Sequence, residues 1–172
     1  MRKACKAEVK TIEKDGSEKI IDFVAKIQFG DDFPHVSNHA ANARTYRATT
    51  LLLNKYKEVV LQNQVLRQSY CKKAALMEVV RHAVVITGHD VDFPHKVYFL
   101  EAALIGDYVK YSSNANFDLT DDQNGMDPII FGLMNAFTHW TYQDSLGKQL
   151  VCDLQGVGPI ITEPQIIHVD SS

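Results

Sequence analysis

An Asp-Gly step at Asp15-Gly16, set between two stretches of strand character, is the feature that most restricts how this chain folds. Before it, Ala4-Cys5-Lys6-Ala7-Glu8-Val9-Lys10 alternates small or apolar with polar residues. After it, Ile20-Ile21-Asp22-Phe23-Val24-Ala25-Lys26-Ile27 resumes a strand. Lys14-Asp15-Gly16-Ser17 carries turn chemistry, so the segment predicts an antiparallel hairpin. Gly30-Asp31-Asp32-Phe33-Pro34 ends the pattern.

From about Asn38 to Val65 the period changes. Tyr46, Leu52, Leu53, Tyr56, Val59 and Val60 recur at steps of three and four among charged residues, which predicts an amphipathic helix. Leu76, Val79, Val80 and Ala83 extend a second helical spacing from Lys72 to Val85, closed by Gly88-His89-Asp90. Val97-Tyr98-Phe99-Leu100 reads as a short buried strand. The polar run from Ser112 to Pro128 reads as an exposed loop. A helix is expected over Ile129–His139, and a strand over Leu150–Leu154 that closes into Gly156-Val157-Gly158-Pro159. Hairpin, helices, then strands and loops imply an α+β fold in two lobes, residues 1–100 and 101–172, with the boundary near Glu101.

Bulk properties narrow the function classes. A hydrophobic fraction of 45% and a charged fraction of 23% support a packed core. A formal charge of −3 gives no basic footprint for nucleic acid. No apolar run reaches the length of a membrane span, so neither nucleic acid nor membrane is an expected partner. Cys5, Cys71 and Cys152 form an odd, scattered set, pointing to a reduced, intracellular setting, most simply the cytoplasm.

Three places have chemistry to offer. Lys26 sits in an apolar strand, where lysine is seldom buried without a partner. It either reaches nucleotide phosphates or occupies the wet face of an alternating edge strand, the commoner situation. Asp153-Leu154-Gln155-Gly156-Val157-Gly158, with Glu163 further on, offers an acid at a strand end and oxygen ligands for Mg²⁺. The plainer reading is a strand that stops at a polar residue, with glycines for the turn. His139, among aromatics in Ala136-Phe137-Thr138-His139-Trp140-Thr141-Tyr142, is by spacing alone a core histidine rather than a zinc ligand.

Four segments in order resemble consecutive motifs of the alpha-type, atypical protein kinase family. They are Gly106-Asp107-Tyr108-Val109-Lys110-Tyr111-Ser112-Ser113-Asn114, then Ala136 to Tyr142, then Val151-Cys152-Asp153-Leu154-Gln155-Gly156-Val157-Gly158, then Thr162-Glu163-Pro164-Gln165-Ile166. The family versions read roughly G-E-Y-V-K-Y-N-S-N, A-F-S-H-F-T-Y, V-V-D-I-Q-G-V-G and T-D-P-Q-I-H. The likeness reaches upstream to Phe23-Val24-Ala25-Lys26 and Met1-Arg2-Lys3-Ala4, and is weakest from Asn42 to Ser69.

The resemblance implies transfer of the ATP γ-phosphoryl group to Ser or Thr of a protein substrate. Under it, Lys26 and Arg2 contact phosphates, Glu101 meets the adenine edge and Asn114 lines the nucleotide pocket. Asp153 is the catalytic aspartate, suited to orient or deprotonate the hydroxyl, Gln155 and Glu163 are Mg²⁺ ligands, and His139 is the first ligand of a structural Zn²⁺. The family's remaining zinc ligands would lie beyond Ser172 and its phosphate loop before Met1, so the domain is expected to be truncated at both ends. Glu163 stands where the family has Asp. These departures motivate a second expectation, a catalytically inactive, pseudokinase-like module that binds nucleotide or protein. An unrelated α+β interaction domain would require the four matches to be accidental.

Overall fold

The computed structural model describes residues 2–28, 35–90, 92–113 and 123–169. By internal contact the chain divides into two units, residues 1–44 with 80–103 and residues 45–79 with 104–172.

The first unit is built on a sheet ordered β1-β2-β5-β4, comprising β1 (Arg2–Ile12), β2 (Glu18–Gln28), β4 (His82–Thr87) and β5 (Lys96–Ala102). All its neighbours are antiparallel. The hairpin forms where the Asp-Gly step predicts it. Gly16 takes φ +83°, open to glycine at little steric cost, and the Asp15 carboxylate accepts from the backbone N–H (2.9 Å) and hydroxyl (2.6 Å) of Ser17. Those two bonds hold the Asp15 carboxyl below its ordinary value. Phe23 and Ala25 of β2, with Val97 and Phe99 of β5, are buried in this unit.

In the second unit, α1 (Val36–Gln62) buries Tyr46, Thr49, Leu52, Leu53, Tyr56 and Val60, the expected stripe, although Val59 is half-exposed. The helix begins in the first unit and continues into the second. Its partner α3 (Pro128–Asp144) starts at an Asp127 cap that accepts from the N–H groups of Ile129 (2.9 Å) and Ile130 (3.2 Å), with proline at the first helical position. Tyr56 stands 5.3 Å from Phe137, ring to ring, and donates to the Leu133 carbonyl at 3.1 Å; burial pushes its phenol up to about 12.

One expected helix is corrected. Over 72–85 the chain instead finishes α2 (Gln68–Leu76), turns extended at Met77 (ψ 129°), and enters β3 (Glu78–Val79) and β4. Val79, Val84, Val85 and Ile86 are β-branched, and strand pairing with β5 and with β9 (Ile160–Thr162) outweighs the helical spacing, leaving Leu76 exposed.

The second unit also holds a sheet ordered β3-β9-β8-β6, with β8 (Gln155–Val157) and β6 (Tyr108–Lys110), and a separate pair, β7 (Gln149–Cys152) with β10 (Gln165–His168). β3 and β9 run parallel; the rest are antiparallel. The expected strand 150–154 stops at Cys152, because Asp153 leaves the extended region at φ +56°. No helix among the described residues is long and apolar enough to cross a membrane. All three cysteines are free thiols.

Candidate functional site

In the first unit the structure brings Lys26 and Glu101 together. Val24 faces Glu101 and Lys26 faces Phe99 across β2 and β5, so Lys26 and Glu101 are diagonal neighbours on one sheet face, within reach of a long side chain. The Lys26 ammonium lies 2.6 Å from Glu101 Oε2, and the two side chains are 12% and 7% exposed. The wet-face reading of Lys26 is therefore corrected: this is a buried ion pair. Arg2 is described only through its backbone, which pairs with Gln28. Asn114 lies outside the described residues.

In the second unit, strand register assembles a cluster. Lys110, Gln155 and Thr162 form one row across β6, β8 and β9, while Cys152 faces Gln165 across β7 and β10. That places Asp153, Gln155, Glu163, Gln165 and Lys110 at one corner. Asp153 Oδ2 accepts from Gln165 Nε2 at 2.9 Å, and its Oδ1 lies 3.1 Å from the Lys110 ammonium. The latter is an ion contact without hydrogen-bond geometry, and Oδ1 is buried with no hydrogen bond among the described residues. Gln155 Nε2 donates to Glu163 Oε2 at 2.9 Å. Burial and the adjacent Asp153 carboxylate together push the Cys152 thiol up.

The backbone is strained where these acids sit. Among the described residues the non-glycine positions with positive φ are Leu146 (54°), Asp153 (56°) and Glu163 (51°). Such conformations cost about 1–3 kcal/mol each and persist only where surrounding contacts hold them. At Asp153 the holders are neighbours of Leu154. The Leu154 N–H donates to Ser112 Oγ (3.0 Å), and its carbonyl accepts from the N–H groups of Tyr111 (2.7 Å) and Ser112 (3.1 Å). Between the acids Gly156 takes φ +154°, and a Cβ there would stand 1.9 Å from the Ile160 carbonyl oxygen, so only glycine fits.

The donor set suits Mg²⁺. Gln155 and Glu163 are oxygen-bearing side chains held side by side, and Mg²⁺ typically takes one or two protein ligands with waters and phosphates completing its shell. It does not suit zinc. His139 stands exposed on α3 rather than in the core, and no group of three or more His, Cys, Asp or Glu that could hold a metal occurs among the described residues.

Three members of the cluster escaped sequence reasoning. Lys110 and Gln165 lie inside motif segments, yet nothing local marks them as partners of Asp153. Tyr46 reads as one more apolar position on α1, whereas its hydroxyl accepts from the Glu163 N–H at 2.8 Å.

A family model described as the alpha-kinase family matches residues 1–172. The chain is 41% identical over 76 residues to eukaryotic elongation factor 2 kinase of Homo sapiens, a match covering 44% of this chain and 10% of that protein. It is 38% identical over 80 residues to alpha-protein kinase vwkA of Dictyostelium discoideum, covering 44% of this chain and 12% of that one. It is also 38% identical over 73 residues to transient receptor potential cation channel subfamily M member 7 of Rattus norvegicus, covering 42% and 4%. The fold matches the solved alpha-kinase domain of myosin heavy chain kinase A in complex with AMPPCP, with a TM-score of 0.60 at 21% identity, over 85% of this chain and 50% of that one. The chain thus spans a small part of its curated relatives and half of the solved domain. With an α+β fold of that kind and a family match along its whole length, the chain belongs to the alpha-kinase family.

Proposed function

We propose that this chain carries the phosphoryl-transfer chemistry of a protein kinase that uses ATP and phosphorylates Ser or Thr of a protein substrate. The observation that carries the reading is Asp153, held at φ +56° with one carboxylate oxygen on Gln165 and the other facing Lys110, beside the Gln155–Glu163 pair. Relatives named as kinases and a solved neighbour named as an AMPPCP complex support it.

In the proposed step the substrate hydroxyl oxygen bonds to the γ-phosphorus as the bond from that phosphorus to the β–γ bridging oxygen breaks, leaving ADP. Asp153 orients the hydroxyl and accepts its proton. Lys110 faces one oxygen of Asp153 and Gln165 holds the other, which fixes the rotation of its carboxylate. Lys26 neutralises phosphate charge, oriented by Glu101, whose second assignment is the adenine edge; Arg2 and Asn114 complete the nucleotide contacts. Gln155 and Glu163 would hold Mg²⁺, which when bound neutralises charge developing on the phosphates. His139 is assigned to zinc only together with ligands from elsewhere in the family domain.

Glu163 in place of the family Asp favours a second reading, in which the chain binds nucleotide without transferring phosphate. Single-turnover reaction with γ-labelled ATP and Mg²⁺, offered Ser/Thr and Tyr peptides, separates the two. Label is expected on Ser/Thr peptides alone, and Asp153→Asn is expected to slow transfer by about 10³-fold while nucleotide affinity stays within threefold. ATP binding without any transfer supports the second reading.

A further inference from the structure

Glu163 is held in a conformation its own sequence opposes. It precedes Pro164, and a proline steers the residue before it toward extended backbone, yet Glu163 sits at φ +51°. Something outside the loop must therefore hold it. Gln155 grips the carboxylate, but the backbone is gripped by Tyr46, 117 residues away in sequence, whose hydroxyl accepts from the Glu163 N–H at 2.8 Å. Tyr46 is only 4% exposed, so its ring is fixed by burial in the helix stripe, and the Thr50 hydroxyl one turn on donates to the Tyr46 carbonyl at 2.9 Å. The N–H that Tyr46 holds belongs to the peptide group from which the Glu163 side chain springs, and Gln155 holds the far end, so the two contacts together anchor the carboxylate.

We infer that Tyr46 is a positioning residue: its hydroxyl pins the backbone of Glu163 so that the carboxylate stays with Gln155 and is directed at a divalent cation. This rests on the proposed assignment of Glu163 as a metal ligand. Tyr46 touches neither nucleotide nor cation. It acts through Glu163, as outer-shell partners of metal ligands do.

The test combines two measurements on the full chain. Amide hydrogen exchange at Glu163, followed by NMR without metal, reports the hydrogen bond itself. Mn²⁺ titration followed by electron paramagnetic resonance, in the presence of a non-hydrolysable ATP analogue, reports the ligand. Tyr46→Phe, which keeps the ring, is expected to speed exchange at Glu163 and weaken Mn²⁺ binding, each by about tenfold. It is expected to weaken Mn²⁺ no further in a Glu163→Ala background. Tyr56→Phe is the control. It also strips a buried hydroxyl that bonds a backbone group, the Leu133 carbonyl, and should lower the melting temperature while leaving Mn²⁺ affinity unchanged. Faster exchange with unchanged Mn²⁺ affinity overturns the positioning role. So does an equal Mn²⁺ loss in Tyr56→Phe, or an additive loss in the Glu163→Ala background. If Glu163→Ala itself binds Mn²⁺ as tightly as the parent chain, the assignment of Glu163 as a ligand is what fails, and the inference falls with it.

Discussion

Lys26 Nζ and Glu101 Oε2 meet at 2.6 Å on neighbouring strands, with both side chains nearly removed from solvent. Breaking one half of a buried pair strands the other charge in a poorly solvated place, at a cost of about 3–5 kcal/mol, more than the intact pair contributes. Lys26→Ala is therefore expected to lose nucleotide affinity and to destabilise the first unit by about 3 kcal/mol. Lys26→Ala with Glu101→Ala should recover part of that stability but none of the nucleotide affinity. Urea unfolding beside nucleotide titration checks both, and a double variant no more stable than Lys26→Ala would remove the pair from the account.

Glu163→Asp shortens by one methylene the side chain that departs from the family pattern. If the longer carboxylate holds the cation from a displaced position, transfer to a Ser/Thr peptide should rise about tenfold, equivalent to about 1.4 kcal/mol of barrier. The Mg²⁺ concentration for half-maximal rate should fall with it. Single-turnover rates across a Mg²⁺ series decide this, and an unchanged rate means the glutamate is tolerated as it stands.

Asp127 joins two helices: it caps α3 and pairs with Lys73 of α2. The Lys73 hydrogen bond, with those from the Ile130 and Ile129 N–H groups, holds its carboxyl below the ordinary value of 3.8. A carboxyl depressed on folding stabilises above its unfolded value, and that stability is lost as pH falls through the folded one. Asp127→Ala should cost about 1 kcal/mol at neutral pH. The melting-temperature gap to the parent chain should stay constant above about pH 5 and close below it. A gap that persists in acid would show that the ionised carboxylate is not what stabilises the cap.

Gly156→Ala is expected to destabilise the second unit by about 3 kcal/mol. The added methyl would meet the Ile160 carbonyl oxygen at 1.9 Å on a backbone that L-residues rarely adopt. The urea midpoint should fall accordingly. A loss below about 1 kcal/mol would mean that β8 and β9 separate easily, against the close approach of Gly156 to Ile160.

Local chemistry alone determined much of this protein. The Asp-Gly turn specified the hairpin and α1 followed from steps of three and four, because both depend on residues close in the chain. The motif segments single out Asp153, Gln155 and Glu163 by residue order alone. Over 72–85 local chemistry is ambiguous: steps of three and four predict a helix, the β-branched valines favour strand, and pairing with β5 and β9 decides. Lys26 was equally ambiguous. Alternation fits a wet face, and the partner that makes it a buried ion lies 75 residues away. The tertiary structure alone decided what surrounds Asp153, because Lys110 and Gln165 reach it through the registers of β6–β8 and β7–β10, which no local pattern encodes. It also decided the conformation of Glu163, where the following proline argues for extended backbone and the Tyr46 hydroxyl, contributed by a distant helix, holds the opposite.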